Sequence, residues 1–376
     1  MNHTPGHLRC WAEIDTVALQ HNARAAGQLA GGGPDLVMAV VKADAYGHGL
    51  PLVARALSGV VGAFAVANLY EAREVRACAP HTPVYILSPA LPEEVEDIVA
   101  GGFIPALSNE EEARRFAATA KKQSRSLAVH AVMDTGMGRM GALPDKFPAL
   151  LATIRQSSLL TLDSVSSHFP SSDEDESFTR TQEEEFRQHM TAMEQRYGPI
   201  RAHIANSAGI LHYPRVPGEA VRAGLMLYGV SPLAEHQGLV HSVLTWKARV
   251  TLVRDLPTGW GVSYGRTHVT AHPAKVAAIS AGYGDGYPRH VSGKGACVLI
   301  GGRRCPVLGR VTMDQIIVDV SAVTSPPAPG DEVVLLGKQG AGEISAVELA
   351  ALAETIPWHL FTGITPRTAR VEAAHG

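Results

Sequence analysis

Lys42 stands at the end of a short apolar run, Val37, Met38, Ala39, Val40, Val41, and is followed at once by Ala43, Asp44, Ala45, Tyr46 and the turn residues Gly47, His48 and Gly49. A continuous run of Val, Met and Ala reads as a strand buried on both faces, as in parallel sheets. A lysine where such a strand emerges is half desolvated. Burial disfavours its ammonium form and lowers its pKa, which equips the amine to attack an aldehyde and form a Schiff base. Taken alone, the run fits better a lysine that keeps its head in solvent.

The other polar residues at strand ends overturn that reading. The chain between Val37 and Gly229 offers eight strand candidates, at 36–43, 63–68, 83–87, 104–107, 127–134, 162–169, 201–207 and 220–224. Lys42 ends the first, the stretch from Asp134 to Arg139 follows the fifth, and His168 ends the sixth. Asn206 and Ser207 end the seventh, and Arg222 lies on the eighth. Each has a plain structural explanation: a salt bridge for Arg222, a capped turn for Ser207, a satisfied ring for His168. Together they would line the carboxyl ends of one barrel, the face on which barrel enzymes build their sites. Loops after the last two strands of such barrels commonly bind phosphate, and Asn206, Ser207 and the Gly224 region would supply the donors. A Schiff-base lysine across from a phosphate site describes pyridoxal 5′-phosphate.

The elements that must hold these residues follow from patterning. Helix-patterned stretches at 69–79, 92–100, 109–121 and 179–197 alternate with the strands. Asn109 ahead of three glutamates is a good N-cap, and Thr181 with Glu184 is a candidate capping box. Eight strands alternating with helices point to a closed (β/α)8 barrel; an open doubly wound sheet competes, but no G-x-G-x-x-G follows the first strand. Near His241 the pattern changes to short β-branched runs at 248–252, 275–279, 297–300, 315–320 and 332–336, with one helical piece at 345–354. The expected organisation is a barrel over 14–240 and a mainly β domain over 241–376, joined by an early strand at 8–13. Segment 171–176 reads as a solvated acidic loop.

Composition narrows the class. The 376 residues suit two domains, with 45% hydrophobic and 18% charged residues and a net charge of −3. Nothing favours nucleic acid or an anionic membrane surface as partner. No apolar run reaches membrane-spanning length, the start lacks an apolar signal stretch, and the four cysteines show no metal-ligand spacing. A cytoplasmic protein without a metal is expected.

These motifs, with AVVKADAYGHG at 39–49, DTGMGRMG at 134–141, SHF at 167–169, HIANSAG at 203–209, VRAGLMLYG at 221–229, VSYGR at 262–266, GYGDGYPR at 282–289 and GRVTMDQ at 309–315, make the chain similar to the bacterial alanine racemases along nearly its whole length. The resemblance implies a barrel followed by a mainly β domain, assembled as a head-to-tail homodimer with shared active sites. It also implies an isomerase that interconverts L- and D-alanine with pyridoxal phosphate, supplying D-alanine for peptidoglycan. Lys42 would hold the cofactor and serve one face of the substrate Cα, and Tyr264 of the partner subunit would serve the other. Arg222 would face the pyridine nitrogen and His168 would link it to Tyr264. Tyr46, Asn206, Ser207, Gly224 and Trp358 would help bind the cofactor, Arg139 and the partner subunit's Met313 would contact the substrate carboxylate, and His203, Tyr283 and Asp314 would support the site.

Two positions depart from the family pattern. A lysine, carbamylated in the family to orient the arginine, is replaced by Val132, so Arg139 lacks an anionic partner. A tyrosine expected near the C-terminus is replaced by Trp358. Both bear on substrate range, so a broad-specificity or serine-preferring racemase is the alternative. A barrel decarboxylase would place a glutamate where Arg222 stands, and a non-enzymatic pyridoxal phosphate-binding protein would lack the β domain.

Overall fold

The computed structural model describes residues 8–213 and 219–374. These fall into two compact units, one built from 8–16, 46–49 and 242–374, the other from the described parts of 17–45 and 50–241. The first strand in the chain, β1 (Cys10–Ile14), belongs to the former unit.

The second unit is the barrel. Its strands are β2 (Val37–Val40), β3 (Ala63–Val66), β4 (Val84–Ile86), β5 (Ile104–Leu107), β6 (Leu127–Val132), β7 (Leu160–Ser166), β8 (Ala202–His203) and β9 (Val221–Ala223). All pair in parallel, in the order β8-β7-β6-β5-β4-β3-β2-β9. The Arg222 N–H donates to Ala205 O at 2.9 Å and joins the two ends. Every residue of β2 to β5 is buried, as runs of Val, Ala, Phe, Ile and Leu require when helices cover one face and side chains fill the interior on the other. The eight strands expected from patterning are all present; β5 has the expected bounds and the other seven are shorter.

Two expectations are corrected here. The first strand stops at Val40 and does not reach Ala43, because residues 43–46 turn left-handed, with φ of 54°, 54°, 53° and 54°. Thr181 and Glu184 do not cap a helix. The helix Glu176–Tyr197 starts five residues before Thr181, where the Asp175 side chain accepts from the Phe178 N–H, and the Thr181 hydroxyl donates to Ser177 O inside the helix. Asn109 is the expected cap, accepting from the Glu112 N–H at 2.9 Å.

The β unit adds β10 (Leu244–Leu256), β11 (Gly261–Val262), β12 (His268–Val269), β13 (Ala274–Ile279), β14 (Cys297–Ile300), β15 (Arg303–Leu308), β16 (Ile316–Asp319), β17 (Glu332–Gln339), β18 (Gly342–Ile344) and β19 (Ala369–Glu372). Its nine-stranded sheet runs β18-β17-β14-β15-β16-β13-β10-β1-β19. The long β10 is the organiser: it pairs antiparallel with β1, β13 and β17, and its alternating burial packs Trp246, Ala248 and Val250 inward. No helix among the described residues is long and apolar enough to cross a membrane.

Candidate active site

The barrel unit gathers Lys42, Arg139, His168, His203, Asn206, Ser207, Arg222 and Gly224 at the carboxyl ends of its strands. Lys42 is half-buried, two residues beyond β2. Desolvation lowers its pKa, the cations of Arg139 and Arg222 lower it further, and Glu71 opposes them. This is the direction of shift that favours a nucleophilic lysine amine.

Arg222 is the electrostatic centre, only 6% exposed. One terminal nitrogen donates to His203 Nδ1 at 2.6 Å and His203 O at 2.8 Å; the other donates to Ser167 O at 2.6 Å, His168 Nδ1 at 3.0 Å and Ile204 O at 3.1 Å. A guanidinium can only donate, so both imidazoles accept through Nδ1 and both are neutral Nε2–H tautomers. Burial and the Arg222 cation push His168 down to about 3 and His203 well below its ordinary value. His203 passes its Nε2–H to Ser164 Oγ at 3.3 Å. Burial lowers Arg222 itself to about 10, so it stays a cation at neutral pH. Its fifth N–H, on Nε, is bonded to nothing among the described residues and is not sealed from solvent. That donor is open to an acceptor arriving in the barrel mouth.

Around Arg222 the loops are cross-braced. Asp134 Oδ1 accepts from the N–H groups of Gly136, Met137 and Gly138 at 2.9, 2.8 and 3.1 Å, which folds the loop that carries Arg139. Arg139 is exposed and makes no hydrogen bond or ion pair among the described residues, while Val132 lies buried in β6. Gln182 donates to both Thr135 Oγ1 and His168 O at 2.9 Å, and Thr135 shares a 2.6 Å bond with Ser167. Asn206 caps the helix Ser207–His212 by accepting from the Gly209 N–H. Ser207 Oγ accepts from the N–H groups of Gly224 at 3.1 Å and Met226 at 3.3 Å, which draws the turns after β8 and β9 together.

The β unit holds the other candidates. Its loops 261–266, 282–287 and 309–315 pack on one another: the Tyr283 and Gly284 N–H groups donate to Thr312 O and Met313 O at 3.0 and 2.8 Å. The Ser263 hydroxyl donates to Arg310 O at 2.5 Å. Gly282 is obligatory, since a Cβ there would lie 2.3 Å from Thr312 O. Arg367 pairs with Asp314 at 2.9 Å and with buried Asp285 at 3.2 Å, bracing the same loops. They present Tyr264, 70% exposed, and Met313, 51% exposed, with Tyr283 also outward. Tyr46 is half-buried in this unit, with its hydroxyl pushed up to about 12 by burial, and Trp358 is half-buried in the helix Pro357–Thr362.

Sequence reasoning missed Gln182, Glu71 and the barrel-interior residues Ser164, Tyr85 and Asp163, the last two hydrogen-bonded to each other. A signal existed for Gln182: it is the polar member of an apolar stripe at helical spacing with Phe186, Met190 and Met193.

A parallel barrel that collects a desolvated amine and a buried guanidinium with one open donor, in one chain with an antiparallel β domain, is the build of a barrel enzyme of amine chemistry. Residues 14–232 match the family model described as alanine racemase, N-terminal domain, and residues 243–372 match alanine racemase, C-terminal domain. The chain belongs to the alanine racemase family. It is 38% identical over 364 residues to the alanine racemase of Methylacidiphilum infernorum, covering 96% of this chain and 92% of that one. The alanine racemase of a D-cycloserine-producing Streptomyces lavendulae superposes with a TM-score of 0.89 at 33% identity, over 99% and 98% of the two chains. That of Bartonella henselae, solved with covalently bound pyridoxal phosphate, gives 0.86 at 27% identity over 97% and 99%.

Proposed function

We propose that this protein is an alanine racemase that interconverts L- and D-alanine with pyridoxal 5′-phosphate, held at the mouth of the barrel. The observation that carries this is the pairing of a desolvated Lys42 with Arg222, whose Nε–H is its one unbonded donor. The residues fit the cofactor. Lys42 is the amine for its aldehyde, Arg222 Nε–H is a donor for the ring nitrogen, and the joined turns at Asn206, Ser207 and Gly224 suit the phosphate. When bound, the group withdraws electrons from the substrate Cα and so acidifies its proton.

The rest is work for this chain's side chains. Racemisation requires a base on each face of Cα, one to remove the proton and one to return it. Lys42 Nζ serves the D-face, helped by the burial and the two cations that lower its affinity for a proton. Tyr264 of the partner subunit serves the opposite face, with His168 Nε2–H between it and Arg222. Its exposure here, beside Met313 and Tyr283, supports a head-to-tail homodimer in which a second copy covers these loops. Arg139 and the partner subunit's Met313 receive the substrate carboxylate. His203 aims Arg222, and Tyr283 and Asp314 shape the β-domain loops. Family membership further supports a cytoplasmic enzyme supplying D-alanine for peptidoglycan.

The test is direct. Purified protein is assayed with L- and D-forms of alanine, serine and other amino acids, and the borohydride-fixed cofactor is mapped by mass spectrometry. Racemisation fastest with alanine and attachment at Lys42 are expected. Attachment at another lysine, retained in Lys42→Ala, would refute the assignment.

A further inference from the structure

Between Val41 and Gly47 the backbone makes a left-handed turn. Ala43, Asp44, Ala45 and Tyr46 have φ of 54°, 54°, 53° and 54°, and Gly47 has 77°. Four successive non-glycine residues in this region persist only where the surroundings over-determine them. The Ala45 N–H donates to Val41 O at 2.9 Å, and Asp44 Oδ1 accepts from the Leu50 N–H at 2.7 Å. A further tie comes from elsewhere in the barrel. Glu71 Oε1 accepts from the Ala43 N–H at 2.7 Å, and Oε2 accepts from the Ala67 N–H at 2.8 Å. The Glu71 N–H is separately held by Asn68 Oδ1 at 3.0 Å, as the cap of the helix Leu69–Cys78, while the carboxylate is held by the Ala43 and Ala67 N–H groups. One carboxylate therefore bridges the chain just beyond β2 to the chain just beyond β3, next to Lys42.

We propose that Glu71 is the positioning residue of Lys42: its carboxylate locks the left-handed turn that aims the amine and balances the arginines that face it. This rests on the reading of Lys42 as the cofactor lysine and base. The charged and titratable groups facing Lys42 are Arg139, Arg222, Glu71 and neutral His168. Glu71 is the one anion among them. Removing its charge lowers the affinity of Lys42 for a proton, and removing its bonds frees the Ala43 N–H and lets the amine wander. A purely structural role, as part of the cap of its own helix, would be shared by Asn68, which touches the same helix start but not Ala43.

The test uses the full chain with Glu71→Gln, Glu71→Asp and Asn68→Ala. Acetylation of Lys42 by trace acetic anhydride is followed against pH by mass spectrometry, after the cofactor is removed. With cofactor restored, kcat and KM for alanine and the melting temperature are measured. In Glu71→Gln, Lys42 should titrate at lower pH than in the parent, and kcat should fall about 10- to 100-fold, as for an ångström-scale misplacement, with KM within about twofold. Glu71→Asp keeps the charge but is too short to hold both N–H groups, so it should titrate like the parent and still lose kcat. If Glu71→Gln does not fold, that variant decides. Asn68→Ala should melt earlier but keep the parent titration and kcat. An unchanged titration and kcat in Glu71→Gln, or an equal kcat loss in Asn68→Ala, would overturn the proposal. Borohydride fixation of the cofactor to Lys42 in the parent separates the two failures, since attachment elsewhere would refute the reading of Lys42 itself.

Discussion

Ala43→Gly should make this protein more stable, against the usual direction for a glycine substitution. A left-handed conformation costs an L-residue about 1–2 kcal/mol, and Ala43 adopts it at φ 54°. Glycine carries no such penalty but gives the unfolded chain more freedom, a loss of about 0.4–1 kcal/mol. Ala43 is exposed, so no packed methyl is lost, and the bond from its N–H to Glu71 is kept. The net gain is about 0.5–1 kcal/mol. The neighbours calibrate it. Asp44→Gly relieves the same strain but removes the side chain that accepts from the Leu50 N–H, and loss of such a cap costs about 1 kcal/mol, so it should be near neutral. Ala45 is fully buried, and losing its methyl costs about 1 kcal/mol, so Ala45→Gly should likewise be near neutral and rank with Asp44→Gly below Ala43→Gly. Urea unfolding followed by circular dichroism gives the ranking, and melting gives about 2 °C for the gain. The freer turn should also lower kcat in Ala43→Gly. An Ala43→Gly protein less stable than its parent, or ranking with Ala45→Gly, would refute the strain reasoning.

Three further outcomes are expected. Lys42→Ala and Tyr264→Phe proteins, each nearly inactive, should regain part of their activity when mixed and allowed to exchange subunits, because each hybrid dimer holds one intact site; demonstrated exchange with no recovery would remove the shared-site reading. Stability should fall as pH drops below about 6.5, where the unfolded chain takes up protons that His130, held at about 4, and His168, held at about 3, refuse in the fold. The slope should approach about 1.4 kcal/mol per pH unit for each histidine between pH 6 and 4, read from urea midpoints, and a flat profile would contradict the neutral tautomers. Activity should be indifferent to bicarbonate in the parent, and Val132→Lys should become bicarbonate-sensitive with a lower KM for alanine; a parent enzyme that needs bicarbonate would show that Arg139 has a carbamate partner after all.

The barrel was legible because its strands are buried on both faces and therefore spell continuous apolar runs, as at Val37–Val40 and Ile104–Leu107. The boundary after Val40 was not. Ala, Asp, Ala and Tyr carry no signal for a left-handed turn, which long-range bonds such as Glu71 to Ala43 impose. The same holds for Glu71: Asn68 and Glu71 read locally as the ordinary start of a helix, and its second partner lies 28 residues away. The helix start at Asp175 was missed because its third following residue is Phe178, not the glutamate or glutamine that marks a capping box. In the β unit, β15, β18 and β19 were invisible because each owes its place to pairing, and β15 carries exposed Arg303, Arg304 and Pro306 amid few apolar residues.

The identity of the residue facing the open mouth separates racemisation from the chemistry of related barrels. A carboxylic acid at that position could protonate a ring nitrogen and strengthen its pull on electrons. Arg222, lowered by burial only to about 10, stays a cation at neutral pH, so it offers a hydrogen bond but not a proton. Its surroundings reinforce this. Two neutral imidazoles and three backbone carbonyls take its other donors, and none of these acceptors is a carboxylate that could be exchanged for it. The cation is thus fixed in charge and in direction by groups that have themselves no proton to give through the atoms that touch it. Under the proposed function, a weaker electron sink would keep the charge near Cα, where Lys42 or Tyr264 of the partner subunit would return the proton, and would disfavour its return to any other atom. On that reading, the selectivity between reactions would rest on the tautomers of His168 and His203 as much as on the arginine.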